Sequence, residues 1–503
     1  MDLQAYQSLF FVGIAGTGMS AIAQYLCGCG KTVSGSDRLF ASGSKSTLQQ
    51  QFEDMGITCA VQDGSGIDES IDLVVVSTAI EESNVEYQKA LQLGIPIAKR
   101  SAVLAAISDQ TKTIAVGGTS GKSTTTAMIF HILNHAGLQP SLITGAGLTE
   151  LQEQGLPGNA YKGQGEWLVI EADESDGSIV GYHPEISVVL NVERDHKEAD
   201  ELLDLFSTFK ENTNGVFIVN ADNELAASLS LLKDYDFSAK GAKVGVKGSS
   251  FKQSGFGISF KINGSSCKIP VLGEHNMENA LAAFAVCKQV GVKKEDIIKA
   301  LSSFKGIYRR TQLVGEKENA KQYVIDDFAH NPSEVAAAIA ACQLISPRVI
   351  AYFQPHGFGP LRFMHAELSQ EVAKVLRPND YFLIGDVYYA GGTVDRNISP
   401  TIVSTAIIRE GKQAHYVGNK QGALTEMITL AQENTTFLII ILHFRKQING
   451  LPLHIINAKH CISPTRSVVS HRAAGVCTFG DDIRLTAMIY TLKRDDMPSL
   501  RLG

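Results

Sequence analysis

The chain has 503 residues, which at about 100 to 200 residues per domain predicts several domains and excludes a lone small binding module. Hydrophobic residues at 44 % and charged residues at 19 %, with 46 Gly and 14 Pro, exclude wholesale disorder, collagen and coiled coil. A net charge of −7 offers no overall attraction to nucleic acid or to an anionic membrane, so neither is an expected partner. No apolar run approaches the roughly 18 to 20 residues of a membrane span, and the first residues lack the basic start of a signal peptide. The eight cysteines complete no zinc pattern and read as reduced thiols, so the expected location is cytoplasmic.

From Leu9 to Ile107, short β-rich runs (LFFVGI, KTVSGSD, LVVVSTA, GIPIAKR) alternate with helical stretches, the pattern of a parallel α/β unit. Its first turn contains Gly16-Thr17-Gly18-Met19 within a G-x-G-x-x-A pattern that follows a strand and opens a helix. Small residues there permit close backbone approach to a diphosphate, and the helix N-terminus supplies N–H groups for the anion. The alternative is a plain tight βα turn. Asp37, at the end of the next strand, stands either where a carboxylate would meet a nucleotide ribose or as a solvated loop acid.

A second unit opens at Thr113 with TIAVGGTSGKSTTT. Gly118, Thr119, Ser120, Gly121, Lys122, Ser123 and Thr124 form a phosphate-cradling loop at a helix start, although Val116 stands where the first Gly of the full P-loop spacing belongs. Backbone amides would grip phosphate oxygens, Lys122 would offset the charge of the β and γ phosphates, and Ser123 would ligate Mg²⁺. The alternative is a Gly-rich turn with a surface lysine. Glu171 follows the apolar run Trp167 to Ile170 and opens EADESD, at the carboxyl edge of a parallel sheet, where hard oxygen ligands suit Mg²⁺. NVERDH, from Asn191 to His196, repeats that arrangement. Either cluster alone reads as an exposed acidic loop, but two at sheet edges behind a phosphate loop point to a metal–nucleotide site. Residues 244 to 272 alternate like a small β insertion, GEHNMENALAAFAVCKQ reads as a helix, and YVIDDFAH, RVIAYFQPH and YFLIGDV begin a third α/β unit. Boundaries are expected near residues 109 and 313.

The last 63 residues, 441–503, hold nine Lys or Arg and four Asp but no Glu, unlike the rest of the chain. They carry no sustained helical period, so residues from about 445 onward are expected to pack poorly and to be trimmed first by proteases.

GIAGTGMSAIA, SGSD, GTSGKSTTT, EADESD, NVERDH, GEHNMENALAA, the YRR of GIYRRTQ, VIDDFAHNP and FQPH occur in one order between residues 9 and 440. Together they resemble the Mur ligases. The resemblance implies three α/β domains: a Rossmann-like UDP-substrate domain (1–108), a P-loop ATPase domain with the small β insertion (109–313) and a Rossmann-like amino-acid domain (314–440), followed by the atypical tail (441–503). It implies ATP and Mg²⁺ as cofactors, and a reaction in which ATP phosphorylates the muramoyl carboxylate of UDP-N-acetylmuramate and an amine then displaces phosphate. By motif match, Lys122 and Ser123 would handle the β and γ phosphates, Glu171 one Mg²⁺, and His196 a second metal. Asn279 would read the adenine with His275 beside it, Arg310 would reach the γ-phosphate, and Asp327 would hold the ATP ribose. Gly16 to Met19, Asp37 and His356 would contact substrate.

L-alanine is the expected acceptor. After FQPH, however, the chain reads Gly357-Phe358-Gly359-Pro360-Leu361-Arg362 instead of a basic, Thr-containing segment, which keeps a preformed peptide open as the acceptor of a recycling ligase. The tail keeps open an inactive protein with a disrupted third domain. The expected assembly is a monomer or homodimer. An NAD-dependent dehydrogenase built on the first Gly loop would leave Lys122, Glu171 and Arg310 without a role.

Overall fold

A computed structural model describes residues 1–40, 45–193, 198–389 and 395–441. His196 and the tail from residue 442 onward, with the expectations attached to them, lie outside these residues.

The first sheet has five parallel strands in the spatial order Thr58–Val61, Thr32–Asp37, Ser8–Val12, Leu73–Val76, Ile97–Lys99. Residues 9–12 and the strand Leu73–Val76 in its middle are continuous apolar runs because both faces are covered, as parallel sheets require. Leu9, Phe11 and Val75 enter one core, while Phe10, Val12, Val74 and Val76 enter the other, which is the two-residue period of a strand. The strand order reverses direction between Ser8–Val12 and Leu73–Val76. At such a switch point the loops at the carboxyl ends diverge and leave a crevice.

The second sheet has six strands, in the order Val216–Val219, Ile186–Val189, Lys112–Gly117, Trp167–Glu171, Ser141–Ile143, Ala160–Tyr161. Only the last pairing is antiparallel. The helix Lys122–His135 packs on it beside the helix His275–Val290, whose buried Ala, Leu and Phe residues explain its place inside the unit. The expected β insertion is a four-stranded sheet of Phe237–Ser238, Val246–Ser254, Gly257–Ile262 and Ser265–Ile269.

The third sheet runs Gln312–Lys317, Gln322–Asp327, Thr435–Ile441, Arg348–Gln354, Tyr381–Gly385, Ala414–Gly418, parallel except for the first pair. The strand Thr435–Ile441 is last in the described chain yet lies in the middle of this sheet, buried along its whole length. The expected architecture, three α/β units with a small β insertion in the second, is therefore the one observed. No helix among the described residues is long and apolar enough to cross a membrane.

Candidate active site

The phosphate loop leaves the strand Lys112–Gly117 and enters the helix Lys122–His135 through two glycines in left-handed conformations, Gly118 (φ 134°) and Gly121 (φ 85°). A Cβ on Gly118 would come within 3.1 to 3.2 Å of Leu190 and the Asn191 backbone, so the loop is pressed against the end of the neighbouring strand. Asn191 pins it there. Its Oδ1 accepts from the Ser120 N–H (2.8 Å) and the Thr119 hydroxyl (2.9 Å), and its Nδ2 donates to the Ser120 carbonyl (3.1 Å). Lys122 Nζ donates to the Gly118 carbonyl at 2.7 Å and forms a buried ion pair with Glu174 at 2.9 Å. Burial opposes the ammonium charge, but the nearby Glu174 and Asp173 carboxylates outweigh it and raise the pKa, so Lys122 stays protonated.

This loop floors a cavity of about 230 Å³ through Ser120, Gly121, Ser123 and Thr124. It is also lined by His275, Asn276 and Asn279 at the start of the helix His275–Val290, by Arg310 at the end of the second unit, and by Asp327, Ser333 and Glu334 of the third. Asn279 Oδ1 accepts from Thr125 Oγ1 at 3.2 Å and stands 2.5 Å from where a Cβ on Gly121 would lie, so Gly121 must be glycine for contact as well as conformation. Asn331 Nδ2 donates to Ser120 Oγ at 3.2 Å, and Ser333 Oγ donates to Glu193 at 2.9 Å, tying the third unit to the loop region.

The two arginines of YRR diverge. Arg309, with φ at 60°, turns inward, pairs with Asp326 at 2.8 Å and donates to the Ile441 carbonyl. Arg310 stacks on Phe328, 5.3 Å from the ring centre, and lines the cavity. Asp327 is buried and accepts from the Thr311 N–H (2.6 Å) and the Ala329 N–H (2.7 Å); burial pushes its carboxyl up to about 6, against the pull of Arg310 and those two N–H groups. His275 is driven down to about 4 by burial and is neutral near pH 7. Burial opposes charge on Glu334 as well, but His330, 3.1 Å away, and Arg310 hold its carboxyl well below the usual range.

Lys122, Ser123, His275, Asn279, Arg310 and Asp327 are thus gathered around one space, of which Lys122 forms the loop behind the lining. Glu171 ends the strand beside the loop, in register with Val116, and its carboxylate accepts from the Thr144 hydroxyl and the Gly145 N–H (2.7 Å). Among the described residues no group of three or more His, Cys, Asp or Glu is arranged to hold a metal alone. The oxygen donors Ser123 and Glu171 nonetheless suit Mg²⁺, which takes one or two protein oxygens and completes its shell with phosphate and water.

The first Gly loop does not line this cavity. Gly13 and Ile14 N–H groups both donate to the Ser36 carbonyl. Asp37 accepts from the Ala15 and Leu39 N–H groups, each at 3.0 Å, so it braces the loop. Gly16 to Met19 then begin the helix Thr17–Gly28 at the switch point. His356 follows the strand Arg348–Gln354, stacks on Tyr388 with ring centres 5.5 Å apart, and is not part of the cavity lining. Sequence reasoning passed over Asn191, Glu174, Asn276 and Glu334. The first two sit inside NVERDH and EADESD, but only the folded contacts distinguish the Asn that fixes the loop and the Glu that holds Lys122 from their acidic neighbours.

Three α/β units, the second carrying a phosphate loop whose cavity is lined also by Arg310 and by carboxylates of the third, define a nucleotide-dependent enzyme of the ligase kind. Family models match in chain order: the Mur ligase family catalytic domain over residues 9–112, the Mur ligase middle domain over 116–287, and the Mur ligase glutamate ligase domain over 309–440. UDP-N-acetylmuramate–L-alanine ligases of Pelotomaculum thermopropionicum and Synechococcus elongatus are each 33 % identical, covering 85 % and 88 % of this chain and 93 % and 94 % of their own. The crystal structure of UDP-N-acetylmuramate–alanine ligase MurC from Thermotoga maritima superposes with a TM-score of 0.71 at 25 % identity, over 90 % of this chain and 99 % of its own. The chain belongs to the Mur ligase family of ATP-dependent, ADP-forming ligases.

Proposed function

We propose that the chain joins L-alanine to UDP-N-acetylmuramate at the expense of ATP, in the cytoplasmic synthesis of a peptidoglycan precursor. The observation that carries this reading is the single cavity shared by the phosphate loop, Asn279, Arg310 and Asp327. In this assignment residues 1–108 bind the sugar nucleotide through Gly16 to Met19, residues 109–313 bind ATP, and residues 314–440 present the amino acid, with His356 on that side. The N–H groups of Gly118 to Thr124 cradle the phosphates, and Lys122 leaves Glu174 to meet them. Asn279 faces the adenine and His275, uncharged, stands beside it. Asp327 accepts from the ribose, and Arg310 offsets charge developing on the γ-phosphate during transfer to the muramoyl carboxylate. Ser123 and Glu171 would hold Mg²⁺, which when bound neutralises phosphate charge; His196 is assigned to a second metal by its motif alone. The acceptor amine then attacks the activated carboxyl and phosphate departs.

The test is ADP release and product mass with UDP-N-acetylmuramate, ATP and Mg²⁺, comparing L-alanine with a preformed peptide. Acceptor-dependent ADP release with alanine is expected. Faster turnover of the peptide would reassign the acceptor, and tight ATP binding without ligation of either would make the chain an inactive member of the family. Lys122→Ala should abolish ligation while calorimetric binding of UDP-N-acetylmuramate persists, because the two loops occupy different sheets. Equal loss of both would refute the division of sites.

A further inference from the structure

Two helices of the first unit begin at the crevice: Thr17–Gly28 behind the Gly loop, and Arg100–Asp109 behind the edge strand Ile97–Lys99. Neither carries an acidic residue in its first turn or a side chain capping its N-terminus. Both therefore present uncompensated N–H groups and a positive dipole end. Arg100 stands at this spot. It is the first residue of its own helix, and its guanidinium covers the start of the other so closely that a Cβ on Gly18 would collide with Nη1. A cation placed against two positive helix ends needs anionic charge beside it, which Asp176 supplies on one side. The other nitrogen, Nη2, is held by Asp176 at 3.1 Å, a carboxylate of the second unit's EADESD loop that also accepts from the Ser178 N–H at 3.0 Å. The ion pair fixes the rotation of the guanidinium, so that Nη1 lies over Gly18 while Nη2 is bonded to Asp176.

We propose that Arg100 is the cationic contact for the diphosphate of the nucleotide bound at the first Gly loop, and that Asp176 is the residue that positions it there. This rests on the assignment of Gly16 to Met19 to the sugar nucleotide and adds the group that neutralises the diphosphate. Arginine suits the role, since a planar fork can donate to a phosphate oxygen through one nitrogen while a carboxylate holds the other. Uridine and UDP share every feature except the diphosphate, so the pair isolates this contact.

The experiment is titration of the full chain with UDP and with uridine, for the wild type and for Arg100→Ala, Arg100→Lys and Asp176→Ala. Losing a charge-assisted hydrogen bond corresponds to a roughly 10- to 100-fold weaker affinity. Arg100→Ala should lose about that much for UDP and less than about twofold for uridine. Arg100→Lys should fall between, and Asp176→Ala, which keeps the cation but frees its rotation, should weaken UDP by a smaller factor than Arg100→Ala. Should Arg100→Ala fail to fold, the lysine and Asp176 variants carry the same comparison. Unchanged UDP affinity in the folded Arg100 variants, or equal weakening of UDP and uridine, would overturn the role of Arg100. A wild type that binds neither molecule would overturn the assignment of the Gly loop itself.

Discussion

His275 and Asp327 face one cavity with opposite electrostatic histories, and the difference is measurable. Burial lifts Asp327 from 3.8 to about 6, so its contribution to stability is fully present below pH 4 and is lost as pH rises through 6. Burial lowers His275 from 6.5 to about 4, so its contribution is present above pH 6.5 and is lost as pH falls through 4. Across the shared window the two slopes oppose each other, each on the order of 1.4 kcal/mol per pH unit. Relative to wild type, Asp327→Asn should therefore gain stability as pH rises from 4 to 6, and His275→Asn should lose it. Urea unfolding at intervals across that range tests this, because common titrations cancel in the difference between proteins. Parallel curves for all three proteins would mean that neither group is shifted as described. Sequence could nominate both residues through their motifs. It could not reveal the burial that leaves the histidine neutral, and although the motif singled out Arg310, only the fold supplies the physical difference, with Arg310 lining the cavity and Arg309 locked to Asp326.

At the scale of elements, the phosphate loop depends on the strand next to it. Besides the Lys122 Nζ bond to the Gly118 carbonyl, the turn from Gly118 to Gly121 is held by Asn191, just past the strand Ile186–Val189. Asn191→Ala removes one acceptor for two donors and one donor to a carbonyl, at about 1 kcal/mol or more for each bond. The loop would relax while the sheet and its core remain, so KM for ATP should rise about 10- to 100-fold with little change in far-ultraviolet circular dichroism. An unaltered KM would show that the loop holds its own shape. Asn191→Asp keeps the acceptor for the Ser120 N–H and should lose less. The strands and helix starts around this loop were legible because apolar runs ending in glycine, and a following Lys-Ser-Thr run, have a local cause. The pinning was not, since Asn191 and Ser120 are 71 residues apart and only sheet order brings them together.

Sheet order also decides what the whole molecule can transmit. The sequence indicated three α/β units, but not that the strand Thr435–Ile441 would occupy the centre of the third sheet, with Arg309 donating to its last carbonyl. The first and second units are joined more subtly, through a polar knot on the helix behind the first Gly loop. Asn159 Nδ2 donates to the Thr17 carbonyl and to Ser20 Oγ, both at 2.8 Å, and Asn159 Oδ1 accepts from Gln24 Nε2 at 2.9 Å. Asn159, Ser20 and Gln24 are all buried, so Asn159→Ala would leave Ser20 and Gln24 short of partners and cost about 1 to 3 kcal/mol. Its functional effect should be selective. Thr17 opens the helix whose N–H groups are assigned to the diphosphate, whereas the cavity at the phosphate loop, assigned to ATP, draws no residue from this knot. Asn159→Ala should accordingly lower the melting temperature and raise KM for UDP-N-acetylmuramate several-fold while KM for ATP stays within about twofold. If both constants rose together, the knot would be holding the two units in a common working arrangement instead of shaping one loop, and the ATP site would owe its geometry to the first unit as well.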